Sequence, residues 1–189
     1  MKSLQPLKER LKVSIRKEFL DIKKQAGAAT LYVFSLGRVE DIEGQYFAAG
    51  STIPYLKQQF EEDDTYYSTF WLASEMELSA DHQDVYYEEL STYLEGASDE
   101  EYGQLRIEYD QLLIDSLAEL KQEGVFDDEI PEFTVFVEYV DEGYDIVNSS
   151  YERILGSPFL DAFRLRYEKQ SNSLTAQLLS KYGGVEGVY

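Results

Sequence analysis

The chain has 189 residues, 43% of them apolar, which is enough to bury a core without staples. It contains no cysteine, so disulfides and thiolate metal sites are excluded. It carries 17 basic and 37 acidic residues, a net charge of −20, and a field of that sign repels nucleic acid and anionic membrane.

The charge is uneven. Residues 1–24 hold eight bases and three acids, whereas residues 61–152 hold 28 acids and only two bases, Arg106 and Lys121. A basic protein partner is the expected complement, because such a field speeds association with cations. Solubility alone is the alternative reading. The first twenty residues lack the apolar run of a signal peptide, and no stretch approaches the ~18 apolar residues of a membrane span, so a cytoplasmic protein is expected.

Residues 4–24 are predicted to form an amphipathic helix. Leu4, Leu7, Leu11, Ile15, Phe19 and Ile22 recur at steps of three and four, with Lys8, Lys12 and Arg16 on other faces. The helix is expected to pack on the core and to lie beside the acidic remainder, offsetting part of its repulsion; a membrane-surface helix is the alternative. Gly27 supplies the stop. TLYVFSLGRV (30–39), rich in β-branched and aromatic residues, predicts a strand buried on both faces. QYFAAGS (45–51) predicts a second, joined to it as a hairpin. IPYLKQQFEE predicts a short helix with Pro54 in its first turn.

EEDDTYYSTFW follows, four carboxylates running into a dense aromatic stretch. Its first part is read as the edge of an acidic surface, and Trp71 as pointing inward. Residues 79–96 are predicted helical, with Tyr86, Leu90, Tyr93 and Leu94 as the stripe and Gly96 as the stop. Residues 98–124 are the strongest helix signal. Ser98 and Glu101 form a capping box, and Tyr102, Leu105, Tyr109, Leu112, Leu113, Leu117 and Leu120 keep helical period. EFTVFVEYVD (132–141) predicts a strand. Ser149 with Glu152 predicts a capping box for a short helix to Leu155, and Pro158 starts another over PFLDAFRLRYEK. A last short helix runs through Leu178 and Leu179.

The order does not alternate as a doubly wound fold would. The expected class is α+β: a small, mostly antiparallel sheet, strands near 30–39, 45–51 and 132–141, with helices packed against it. One domain spanning 1–189 is expected, with 170–189 a partly flexible C-terminal extension.

Chemistry is marked by absences. The single histidine, His82, cannot build a triad or a multi-histidine metal site, and it is read as an exposed residue at a helix start. No phosphate-binding, dinucleotide-binding, zinc-protease or nucleophile-elbow motif occurs. The run DDEIPE (127–132) lacks the glycine and distant glutamate of a calcium loop and reads as a solvated turn. No catalytic residue, metal ligand or cofactor is assigned. Glu75 and Glu77 are read as surface carboxylates, with a buried, functional glutamate there as the alternative. Ten of the 16 tyrosines fall between Tyr66 and Tyr151, and tyrosine suits interfaces because it joins large contact area to one polar handle.

The basic first helix, LYVFSL and YFAAGS as paired strands, YYSTFWLASEMEL, the helix YDQLLIDSLAELKQEGVF and the strand FTVFVEYVD together resemble a bacterial family of small proteins, the domain-of-unknown-function family 4303, over about residues 8–165. The family's middle segment reads like Trp-Ser-Pro-x-Glu-Trp. Trp71 and Glu75 match it, whereas Leu72, Ala73 and Met76 differ. The resemblance carries no enzymatic activity. It implies a bacterial protein of a type found near toxin loci.

The expected function is therefore a non-enzymatic acidic binding protein, in concrete form an immunity protein that neutralises a basic toxin such as a nuclease. Its expected contacts are Glu61, Glu62, Asp63, Asp64, Tyr66, Tyr67, Asp81, Asp84, Tyr87 and Glu88. A DNA mimic, needing carboxylates in a phosphate-like double row, and a carboxylate- or metal-dependent enzyme are the alternatives.

Overall fold

The computed structural model describes residues 3–38, 46–62, 70–82, 86–139, 144–156 and 158–188. After a single 3-10 turn at Gln5–Leu7, helix α1 spans Lys8–Ala26 and ends at Gly27, whose φ of 61° is open to glycine at little cost. All six residues of the expected stripe, Leu4 to Ile22, are buried. Burying each contributes about 1.5–3 kcal/mol, so this one face holds the helix.

Strand β1 (Leu31–Arg38) is buried along its whole length because both faces of the sheet are covered. It pairs antiparallel with β2 (Tyr46–Thr52), Val33 opposite Ser51 through Arg38 opposite Tyr46, and parallel with β4 (Thr134–Tyr139), Val33 opposite Thr134 through Arg38 opposite Tyr139. β3 (Leu78–Ala80) adds antiparallel to the far edge of β2, and the sheet order is β3-β2-β1-β4. The fold is α+β, with two of three pairings antiparallel. The turn expected between β1 and β2 lies outside the described residues.

Two cores flank the sheet. On one face Phe34, Leu36, Tyr46, Ala48, Val135 and Val137 meet α1, α3 (Tyr87–Leu94) and α4 (Asp99–Gln122). On the other, Tyr32, Val33 and Phe136 meet Trp71, α2 (Ile53–Glu62), α5 (Tyr144–Leu155), α6 (Leu160–Arg164) and α7 (Leu174–Lys181). Trp71 is fully buried, edge-on to Tyr32 and Phe163, and donates its indole N–H to Thr175. Ser173 caps α7, and Leu174, Ala176, Leu178 and Leu179 are buried in this second core.

Three expectations are corrected. Of the helix expected over 79–96, the described residues form Tyr87–Leu94, and Leu78–Ala80 instead pair with β2, where backbone bonds to an open sheet edge outweigh helix propensity. Ser149 is not a cap. It lies inside α5, which begins at Tyr144, and its hydroxyl donates to the Ile146 carbonyl. The helix expected from Pro158 shrinks to five residues. Phe159 takes a left-handed φ of 60° before it, and beyond it Arg166 is held by burial and by the Thr175 hydroxyl on its carbonyl.

Candidate functional site

Helices α3 and α4, which pack on the sheet's first face, are rich in acids. Residues 86–119 contain ten acids and one base. Gly96, at φ 72°, ends α3, and two residues later Ser98 starts α4. The capping box is complete: Ser98 Oγ accepts from the Glu101 amide, and Glu101 Oε2 accepts from the Ser98 amide at 3.0 Å. Glu88 and Glu89 sit in the first turn of α3, and Asp99, Glu100 and Glu101 in the first turn of α4. Each helix start carries unsatisfied N–H groups and a partial positive charge, which stabilises the acids there.

Helix α1 neutralises much of the rest. Lys12 bridges Glu123 at 2.6 Å and Glu119 at 3.1 Å; Lys8 also pairs with Glu119 and Arg16 with Glu123. Lys8 and Lys12 hold the Glu119 carboxyl below its ordinary range. Arg10 reaches Glu89 at 2.9 Å, and Lys23 reaches Glu129 at 2.6 Å. Further acids of α4 are held elsewhere: Glu108 accepts from Ser3 Oγ and the Leu4 amide, Asp110 pairs with Arg38, and Asp115 with Arg153. Glu88, Asp99 and Glu100 are exposed and form no ion pair with the described residues.

An open cleft of about 460 Å³ lies between the start of the chain, the α3–α4 turn and one side of α4. Tyr93, Ala97, Leu105 and Ile107 supply its apolar part, and Glu101 and Glu108 its carboxylates. Ile107 is 71% exposed, well beyond the other exposed large apolar residues.

A buried polar seam fixes α3 and α4 against the sheet. Tyr46 donates its hydroxyl to Glu18 Oε2 at 2.6 Å, and the His82 amide donates to Glu18 Oε1 at 2.9 Å. The Tyr46 ring stacks parallel to Tyr86, the Tyr86 and Tyr109 hydroxyls share a hydrogen bond of 2.7 Å, and the Arg38 guanidinium lies 5.3 Å from the Tyr109 ring. Burial pushes the Glu18 carboxyl up to about 7, against the opposing pull of those donors. On the opposite face Glu138 Oε2 accepts from the Ala73 amide at 2.6 Å, and burial pushes it up to about 7 as well.

Of the expected contact residues, Asp63, Asp64, Tyr66, Tyr67 and Asp84 lie outside the described residues. Glu61 and Glu62 end α2, which packs with β2 and α7 on the second core. Asp81 follows β3, and Tyr87 and Glu88 open α3, whose Leu90 lies in the first core. The two groups thus attach to opposite faces of the sheet. Glu75 and Glu77 are exposed, and Glu77 accepts from Thr52 Oγ1 at 2.5 Å. His82 is not at a helix start. It sits between β3 and α3, and its Nε2 is 2.6 Å from Asp21.

The buried carboxylates escaped the sequence reading although their positions were readable. Ser14 and Glu18 share the stripe of Leu11, Ile15 and Ile22, and Glu138 lies in a strand whose neighbours on both sides are apolar. Among the described residues no group of three or more His, Asp or Glu side chains is placed to hold a metal ion, and no helix is long and apolar enough to cross a membrane.

No curated protein and no solved structure matches the chain. The sequence pattern of one family matches residues 11–150, the span from α1 into α5 that holds the whole sheet, the polar seam and the α3–α4 face, and the chain belongs to that family, a domain of unknown function (DUF4303).

Proposed function

We propose that the chain is a non-enzymatic binding protein whose acidic α3–α4 face covers a basic partner, in concrete form an immunity protein that neutralises a basic bacterial toxin such as a nuclease. One observation supports the reading: with Lys8, Lys12 and Arg16 of α1 engaged at Glu119 and Glu123, Glu88, Asp99 and Glu100 stay exposed in the first turns of α3 and α4 with no ion pair to the described residues. Nucleases need a cationic surface to hold phosphates, and a carboxylate surface competes for that site and is drawn to it quickly. A DNA mimic would call on a long row of uncommitted carboxylates, and those along the body of α4 are engaged within the molecule.

Co-expression with the product of the neighbouring open reading frame tests this. That product is expected to arrest growth alone, the chain to restore growth, and the triple variant E88Q/D99N/E100Q, still folded by circular dichroism, to restore it poorly. Rescue by the triple variant equal to that of the natural chain contradicts the reading.

A further inference from the structure

The chain's single histidine, His82, is held on α1 through its amide, its carbonyl and its ring. The amide donates to Glu18 Oε1 at 2.9 Å, the carbonyl accepts from Ser14 Oγ at 2.8 Å, and Nε2 lies 2.6 Å from Asp21 Oδ2. Tyr46 Oη closes a circuit, 2.6 Å from Glu18 Oε2 and 3.3 Å from Ser14 Oγ. Ser14, Glu18 and Tyr46 are all buried. The hydrogens of this circuit run in one direction only when Glu18 is protonated. The acid then donates to Tyr46, Tyr46 to Ser14, Ser14 to the His82 carbonyl, and the His82 amide to Glu18 Oε1. When Glu18 is ionised, Tyr46 turns its hydrogen to Oε2. Oε1, 3.4 Å from Ser14 Oγ, then competes with the His82 carbonyl for the one serine hydrogen.

We propose that this circuit is a proton-dependent latch, which fastens the stretch between β3 and α3 to α1 in acid and loosens it in alkaline solution. The groups that face Glu18 set the direction. Tyr46 of β2, Tyr86 ahead of α3 and Tyr109 of α4 are phenols that burial keeps neutral. Arg38 of β1 lies against the Tyr109 ring and is paired with Asp110. Asp81 belongs to the latched stretch itself and repels an ionised Glu18. Burial is the largest effect and pushes the Glu18 carboxyl up to about 7, against the donors Tyr46 and His82. Once the stretch opens and water reaches the carboxyl, it returns to the ordinary carboxylate range. The closed form therefore holds the proton between those values, and closure weakens as pH rises through about 7. An imidazole binds a facing carboxylate more strongly when charged, so the His82–Asp21 contact acts in the same sense.

The test is amide hydrogen exchange of the full chain, resolved by residue and corrected for the intrinsic rate at each pH. Protection of the His82 amide is expected to fall at least about tenfold between about pH 5.5 and about pH 8.5. It is expected to stay below that of the amides of β1, at the centre of the sheet, throughout. Glu18→Gln keeps an acceptor for the His82 amide and offers Tyr46 a donor, as the protonated acid does, so its fall is expected to be much smaller. Tyr46→Phe removes a donor that favours the ionised carboxylate, so the pH at which the fall levels off is expected to move upward. A fall of full size in Glu18→Gln assigns the titration to the His82–Asp21 contact and overturns the latch. No fall in the natural chain, or a levelling pH that Tyr46→Phe leaves in place, overturns it too. His82 protection equal to that of β1 at every pH marks global unfolding rather than a local latch, and also overturns it.

Discussion

Glu138 is 4% exposed and its Oε2 accepts one backbone N–H, so its charge is poorly solvated in the folded chain. Its carboxyl titrates near 7 when folded and in the ordinary carboxylate range when unfolded. The folded state therefore binds the extra proton between those values. Stability from this group is fully present below the unfolded value and is lost as pH rises through about 7. Glu18 acts in the same sense. Gln at 138 keeps an oxygen for the Ala73 amide and carries no charge. Urea titrations of Glu138→Gln are expected to show a shallower fall in stability between about pH 5 and about pH 8, with the variant more stable at the upper end by on the order of 2 kcal/mol. An unchanged slope would mean that the carboxylate is solvated after all.

At the scale of elements, local signals and tertiary demands divide the chain. The stripe of α1, its glycine stop and the Ser98–Glu101 box were legible because each rests on residues within a turn or two of one another. β1, β2 and β4 were legible as apolar runs, but the parallel pairing of β4 with β1 was not, since it joins segments separated by α2, α3 and α4. β3 was missed because three residues hold no periodicity; only the open edge of β2 makes them a strand. The cleft was invisible for the same reason, since its walls come from the chain start, α3 and α4. Its one sequence trace is Ile107, an apolar residue off the stripe of Leu105, Tyr109 and Leu112. The cap of α4 sets where that helix and its acids begin. Ser98→Ala is expected to cost about 1 kcal/mol in thermal or urea unfolding, and a loss within error would show that the box adds nothing to tertiary packing.

At the scale of the whole molecule, the charge is sorted rather than merely excessive. The basic first helix packs with α4 and pairs with Glu119 and Glu123 at its C-terminal end, offsetting part of the acidic repulsion. What remains outward in the first turns of α3 and α4, Glu88, Asp99 and Glu100, is negative. Salt acts on such a surface with a Debye length of about 10 Å at 0.1 M, so long-range attraction is screened while short contacts persist. The acidic-face reading is tested most directly by stopped-flow association of the chain with the proposed partner, the product of the neighbouring open reading frame, at about 20 mM and about 500 mM salt. The rate constant is expected to fall by at least about tenfold across that range, and by much less in E88Q/D99N/E100Q. A rate that is flat with salt, or one whose salt dependence the triple variant leaves intact, would contradict a partner captured by this face.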